Sequence, residues 1–252
     1  MIRLSVNVNK VATLRNSRGG SVPSVIEAVR VCLQAGAPGI TVHPRADQRH
    51  ITPRDVQEIA AELAPLRETV EFNIEGDPRP DLLELVVAVR PHQCTLVPVH
   101  PGEITSQAGW SPETSQTQMQ RTVERLCNAG VRVSLFVDPE PEPIHWAARM
   151  NAQRVELYTE PYARAFAQGG EALEACHARY VAAAELAHSL GLGVNAGHDL
   201  DLDNLQRFRT VPHLDEVSIG HALMSRALFV GLERVVREYL AVLDDRSAGT
   251  EP

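Results

Sequence analysis

Short runs of strand-type apolar residues alternate with runs of helical periodicity along the whole chain. Residues 4–8 predict a first strand, followed by a polar loop to Gly20. Ser21-Val22-Pro23-Ser24 then opens a helix over 25–35, with Val25, Ala28, Val29, Cys32 and Leu33 on one face and Gly36 closing it. A second strand at 39–42 precedes a helix that begins at Thr52-Pro53 and runs through Leu63. The pattern repeats with strands at 70–74, 93–97, 132–136 and 154–158, and helices at 82–89, 112–129, 141–150 and 171–190. Strands at 193–195 and 216–219 complete the set. Residues 223–243 read as a helix, and 244–252 as a frayed tail. Two stretches, 99–111 and 159–170, are long enough for an extra helical turn or a lid.

Eight strands, each with a helical segment behind it, predict a (β/α)₈ TIM barrel spanning 1–252 as a single domain. An open doubly wound sheet is the competing architecture. It normally carries a glycine-rich phosphate loop after its first strand, and neither GxGxxG nor GxxxxGK[ST] occurs here. At 252 residues and 27.6 kDa the length suits one such barrel.

Charge narrows the function. The net charge of −8 argues against a nucleic-acid surface, so any anion must be held in a local cationic pocket. The first residues enter a strand directly, without a signal-peptide pattern, and no apolar run is long enough to cross a bilayer. Four cysteines lack metal-finger or CxxC spacing and read as reduced thiols. These features predict a cytoplasmic protein with no membrane or nucleic-acid partner.

In a barrel, catalytic groups leave the carboxyl ends of the strands. The first strand ends in Asn7, Asn9 and Lys10, and its loop carries Arg15 and Arg18. The second releases His43, Arg45, Arg49 and His50 within eight residues. The third ends in Glu75, and the loop after the fourth carries His100 and Thr105. The fifth supplies Asp138, and the sixth Glu156, Thr159 and Glu160. The seventh and eighth run into Gly197-His198-Asp199 and Gly220-His221. Any one of these could be a packed or solvated residue, but three histidines and a carboxylate on one rim share a single explanation in acid–base chemistry. Loops after the seventh and eighth strands often bind phosphate, with glycine letting the backbone approach it. A metal is the weaker reading, because no HxH, HxxxH or HExxH spacing occurs. The pattern therefore predicts a barrel enzyme acting on a phosphorylated small molecule. An aldolase or isomerase of a sugar phosphate that uses Lys10, the sole lysine, and a non-catalytic phosphate-binding barrel are the alternatives.

The segments Asn7-x-Asn9-Lys10, Gly39-Ile40-Thr41-Val42-His43-x-Arg45-x-Asp47-x-Arg49-His50, Asn73-Ile74-Glu75, Asn195-Ala196-Gly197-His198 and Ile219-Gly220-His221-Ala222 resemble the pyridoxine 5′-phosphate synthase family, and the likeness runs from the first strand to the last helix. The resemblance implies a barrel with extra helices, assembly as a homo-octamer, and no metal or cofactor. It implies a ring-closing transferase that condenses 1-deoxy-D-xylulose 5-phosphate with 3-amino-2-oxopropyl phosphate to pyridoxine 5′-phosphate, phosphate and water. By position, it makes His43 and Glu75 proton acceptors and His198 a proton donor. Asn9, Lys10, Arg45, His50 and Thr105 would hold the deoxyxylulose phosphate, and Asn7, Arg18, Asp199, Gly220 and His221 the amino ketone phosphate. Many members carry Asp-His where this chain has Asn9-Lys10, and Gly where it has Asp199. The first change reads as a variant site, whereas the second sets a carboxylate beside a phosphate.

Overall fold

A computed structural model describes residues 1–99 and 108–244. β1 (Arg3–Asn7) leads into α1 (Asn9–Asn16) and α2 (Val25–Gln34). β2 (Gly39–Val42) leads into α3 (Pro53–Leu63), β3 (Glu71–Gly76) into α4 (Pro80–Val89), and β4 (Gln93–Leu96) into α5 (Gln116–Asn128). β5 (Arg132–Val137) is followed by α6 (Pro141–Arg149), and β6 (Arg154–Tyr158) by α7 (Glu160–Gln168) and α8 (Gly170–Ser189). β7 (Gly193–Gly197) precedes α9 (Leu202–Phe208), and β8 (Leu214–Ile219) precedes α10 (His221–Val230) and α11 (Leu232–Asp244). Neighbouring strands are parallel and β8 pairs with β1, which closes the expected (β/α)₈ barrel.

Period-two alternation within the strands divides the barrel into two interiors. Leu4, Val6, Ile40, Val42, Ile74, Leu135 and Leu157 are fully buried in one apolar cluster with helix residues such as Val29, Val56, Val86, Ile144 and Tyr180. Truncating one of these, Ile74 for example, to alanine would cost about 2–5 kcal/mol. The other strand positions fill the barrel itself, and they are polar. The Ser5 and Thr41 hydroxyls lie 2.6 Å apart, Asn73 Nδ2 donates to Thr41 Oγ1 at 3.3 Å, and Thr95 Oγ1 donates to Asn73 Oδ1 at 3.1 Å. Nearer the amino ends of the strands, Arg132 pairs with Glu71 and donates to Gln93 Oε1 at 3.0 Å, while Arg154 Nη1 donates to Asn195 Oδ1 at 2.7 Å. A register shift beside Val194 and Asn195 sets Asp215 half-exposed, where its carboxylate accepts the Val194 N–H, and buries Glu216.

Two expectations require correction. The segment after β1 is not a loop to Gly20. It forms α1, anchored by the Arg15 guanidinium on Asp55 at 2.5 and 2.9 Å and by Asn16 Nδ2 on the His50 carbonyl at 2.8 Å. The 159–170 stretch, by contrast, holds extra helix as its length allowed: it contains α7, with a proline in its first turn. The last helix is two helices, because Gly231 adopts φ 90° between α10 and α11. The frayed tail falls outside the described residues, apart from Asp244, which ends α11.

Candidate active site

A cavity of about 430 Å³ opens at the carboxyl ends of the strands. Asn7, Asn9, Lys10, His43, Arg45, Arg49, His50, Glu75, His198, Asp199, Gly220 and His221 all line it, together with Glu156, Phe136 and Ser218. Of the residues picked from sequence, Arg15, Arg18, Asp138, Thr159 and Glu160 do not, and Arg18 is exposed on the turn after α1. Thr105 and His100 lie outside the described residues.

Glu75 occupies the floor. Asn7 Nδ2 donates to its Oε2 at 3.4 Å, Ser218 Oγ donates to its Oε1 at 3.4 Å, and His43 Nδ1 stands 3.9 Å from Oε2. Burial first, and then the nearby Glu216, push this carboxyl up to about 8, while the Ser218 hydrogen bond works against the rise. Glu156 sits at the same level and is also pushed well above the carboxylate range, by burial and by Glu75. Both carboxyls thus favour the protonated form.

His43 is the reverse case. Burial, then the positive potential of His50, Arg45 and Arg79, hold its imidazole well below 6.5. Its Nε2 is buried without a hydrogen-bond partner among the described residues. The backbone N–H of His43 donates to Asn9 Oδ1 at 2.9 Å, and Asn7 Oδ1 in turn accepts the Asn9 N–H at 3.0 Å. Asn9 therefore reaches the site chiefly by fixing the turn that carries His43. Arg79 supports the same turn from behind, donating from Nη2 to the Pro44 carbonyl at 2.5 Å.

His50 Nδ1 accepts the Ile51 N–H at 3.0 Å, which leaves the proton on Nε2. Burial, Arg45 and Lys10 depress this imidazole to about 4. On the other wall His198 has φ 79° and packs against Phe136 and Tyr158, with ring centroids 5.1 and 5.4 Å away. Burial lowers its proton affinity and Asp199 partly restores it. Thr159 Oγ1 donates to the carbonyls of Gly197 and His198 and pins that loop. Asp199 is exposed, and its carbonyl accepts from Asn204 Nδ2 at 3.0 Å.

The glycines beside the two histidines serve the wall as well as any ligand. A Cβ at Gly197 would lie 2.2 Å from Glu156 Oε1, and one at Gly220 would lie 3.0 Å from Asn7 Cβ. Glu156, which the sequence set at the end of the sixth strand without a role, is part of this lining. A carboxylate alternating with Val155 and Leu157 at a strand end was the available signal. Arg15, conversely, is committed to Asp55. Among the described residues no three His, Cys, Asp or Glu side chains converge as metal ligands.

Fold and rim together define a TIM barrel with acid–base groups and cations gathered in one mouth. Solved barrels share the fold at low identity: thiamine phosphate pyrophosphorylase from Pyrococcus furiosus (TM-score 0.62, 16% identical, 96% of each chain) and phosphoribosyl anthranilate isomerase from Thermotoga maritima (TM-score 0.59, 12% identical, 96% of this chain and 98% of that one). The family model for the pyridoxal phosphate biosynthesis protein PdxJ matches residues 4–245, and the chain belongs to that family. It is 51% identical over 240 residues to pyridoxine 5′-phosphate synthase of Bacteroides thetaiotaomicron, covering 95% of this chain and 98% of the relative. It is 48% identical over 253 residues to the synthase of Leptospira biflexa, covering 96% and 97%.

Proposed function

We propose that this cavity catalyses the reaction for which the relatives are named, forming pyridoxine 5′-phosphate in vitamin B6 biosynthesis from 1-deoxy-D-xylulose 5-phosphate and 3-amino-2-oxopropyl phosphate. The observation that carries the reading is the His43–Glu75 pair, 3.9 Å apart, in one cavity with His198 and the Lys10, Arg45 and His50 cluster. The amine adds to the ketone and water is lost. A carbon-bound proton is then removed, phosphate leaves, water adds to the carbon that bore it, and a carbon–carbon bond closes a ring that aromatises with loss of two further waters. Such a sequence needs acids and bases at several atoms.

The atoms of product and substrates fix which phosphate leaves. The ring methyl and the carbon bonded to it come from the deoxyxylulose end, so the carbon that bore the deoxyxylulose phosphate becomes the 4-hydroxymethyl group. The amino ketone phosphate stays on as the 5′-phosphate. Lys10, Arg45 and His50, assigned to the first substrate, thus stabilise a departing phosphate. The α10 N-terminus, with Gly220 and His221, suits the phosphate that stays. Asn7 and Asp199 complete that second site by the family pattern, as Thr105 does the first.

His43, with Nδ1 turned toward Glu75 and Nε2 unpartnered, accepts protons, and Glu75 does so once ionised. His198 serves as donor, because a bound phosphate dianion raises the proton affinity that burial lowers. Lys10 is exposed at the rim, away from the buried floor where His43 and Glu75 meet, which favours a phosphate contact over an aldolase lysine. Among the described residues no helix is long and apolar enough to cross a membrane. A cytoplasmic octamer follows from the family resemblance, and Leu228 and Phe229 on α10, 73% and 87% exposed, suit contacts between copies. Purified protein given both substrates should release phosphate and form the fluorescent pyridine ring. Absence of both products would overturn the reading.

A further inference from the structure

Lys10 is the only lysine in the chain, and every other fixed side-chain cation is an arginine. It lines the cavity beside Arg45 and His50, and it lies close enough to His50 to lower that imidazole's proton affinity. As a phosphate contact alone, arginine would serve there as well, with a planar fork and a permanent charge. What lysine adds is an amine that can lose its proton and act as a nucleophile.

The position of that amine gives it an electrophile. In the reaction proposed above, on which this inference rests, the Lys10, Arg45 and His50 cluster holds the phosphate that leaves the 4′-carbon. Once that phosphate has gone, the 4′-carbon faces Lys10. The family is described by pyridoxal phosphate, a molecule that differs from pyridoxine 5′-phosphate only at that carbon, where an aldehyde replaces the hydroxymethyl group. We infer that the cavity also takes pyridoxal 5′-phosphate and that Lys10 condenses reversibly with its aldehyde, blocking the site. The neutral Nζ adds to the carbonyl carbon, and the carbonyl oxygen takes up protons and leaves as water. An imine remains, with no oxidant or reductant consumed, and hydrolysis frees the enzyme again. The end aldehyde of the pathway would thereby restrain its own supply.

The test uses the full chain, which carries two kinds of primary amine, Lys10 Nζ and the Met1 amino group. Protein is incubated with pyridoxal 5′-phosphate, reduced with borohydride, digested and mapped by mass spectrometry. Lys10→Arg is treated in parallel, and binding of pyridoxine 5′-phosphate to both proteins is measured by calorimetry. Holding the aldehyde in the cavity raises its effective concentration at Nζ, so Lys10 should label at least about 10²-fold faster than Met1. Deoxyxylulose phosphate should suppress that labelling, and Lys10→Arg should abolish the yellow imine absorbance. Labelling of Met1 alone, or labelling of Lys10 that deoxyxylulose phosphate does not slow, overturns the inference. If pyridoxine 5′-phosphate binds the wild type while Lys10 stays unlabelled, the inference fails and the proposed function stands. If neither molecule binds, both fall.

Discussion

Glu75→Gln should abolish turnover and at the same time make the protein more stable at alkaline pH. The amide matches the carboxyl in shape, and Asn7 and Ser218 remain as partners, but it neither ionises nor accepts a proton. Burial holds the Glu75 carboxyl at about 8 instead of 4.5. A group raised in this way favours the folded state fully below pH 4.5, and that contribution is lost as pH climbs through 8. At about 1.4 kcal/mol per pH unit of difference, the loss is about 3 kcal/mol at pH 7 and about 4 kcal/mol at pH 8, but less than about 1 kcal/mol at pH 5. Local relaxation reduces what is recovered, so we expect roughly half: a gain of about 2 kcal/mol at pH 8, or about 5 °C in Tm. Differential scanning calorimetry at pH 5 and pH 8 reads the stability, and phosphate release from the two substrates reads the activity. A variant that melts at or below wild type at pH 8 would refute the picture of Glu75 as a buried, proton-holding carboxyl. Near-normal turnover would remove it from the chemistry.

His43→Ala and His198→Ala should each lower kcat by about 10²–10⁴-fold in steady-state assays, the usual range for acid–base groups. Mild effects at both positions would count against the mechanism. Arg45→Ala should raise KM for deoxyxylulose phosphate far more than for the amino ketone phosphate, and equal increases would mean that the two phosphate sites are misassigned. Asn9→Ala strands the His43 N–H at a cost of about 1–3 kcal/mol and should reduce kcat, whereas Asn9→Asp keeps the acceptor and should retain activity. If Asp fares no better than Ala, Asn9 acts by some route other than this hydrogen bond. Gly197→Ala forces a Cβ to 2.2 Å from Glu156 Oε1 and should lower stability in urea by about 1–3 kcal/mol, and an unchanged midpoint would show that Glu156 can swing aside.

The barrel was legible because each strand is a short apolar run with a turn signal and a helical run behind it. β2 and β6 have the expected bounds, and the other strand ends differ by at most two residues. What escaped notice rests on distant contacts or short motifs. α1 has a first turn without a side-chain cap, and residues from the β2–α3 region hold it in place. α9 spans seven residues, too few for a periodic signal, although the capping box of Asp201 and Asn204 marks its start. α7 was readable from Pro161 and the spacing of Tyr162, Ala165 and Phe166, and Gly231 marked the break in the tail. The rim histidines, Glu75 and Lys10 were visible because strand ends deliver side chains to one mouth. Arg18 took its substrate role from the resemblance alone, and this fold leaves it outside the cavity of its own chain.

The polar barrel interior ties the site to the fold. Parallel strands covered by helices ordinarily read as continuous apolar runs, yet Glu71-Phe72-Asn73-Ile74-Glu75, Arg132-Val133-Ser134-Leu135-Phe136 and Arg154-Val155-Glu156-Leu157-Tyr158 alternate. The alternation that marks a half-solvated strand elsewhere here marks a strand whose second face lies inside the barrel. Glu71 is matched by Arg132 and Arg3, but Glu75, Glu156 and Glu216 are all pushed upward by burial and by one another. The fold is therefore most secure with protons on these carboxyls, whereas the proposed chemistry needs Glu75 without one. A core of leucine and valine would remove that conflict, and would also remove the Ser218 and Asn7 contacts that orient Glu75 and the carboxyls that set its proton affinity. Stability given up inside the barrel is in this sense a consequence of keeping the proposed general base at its floor.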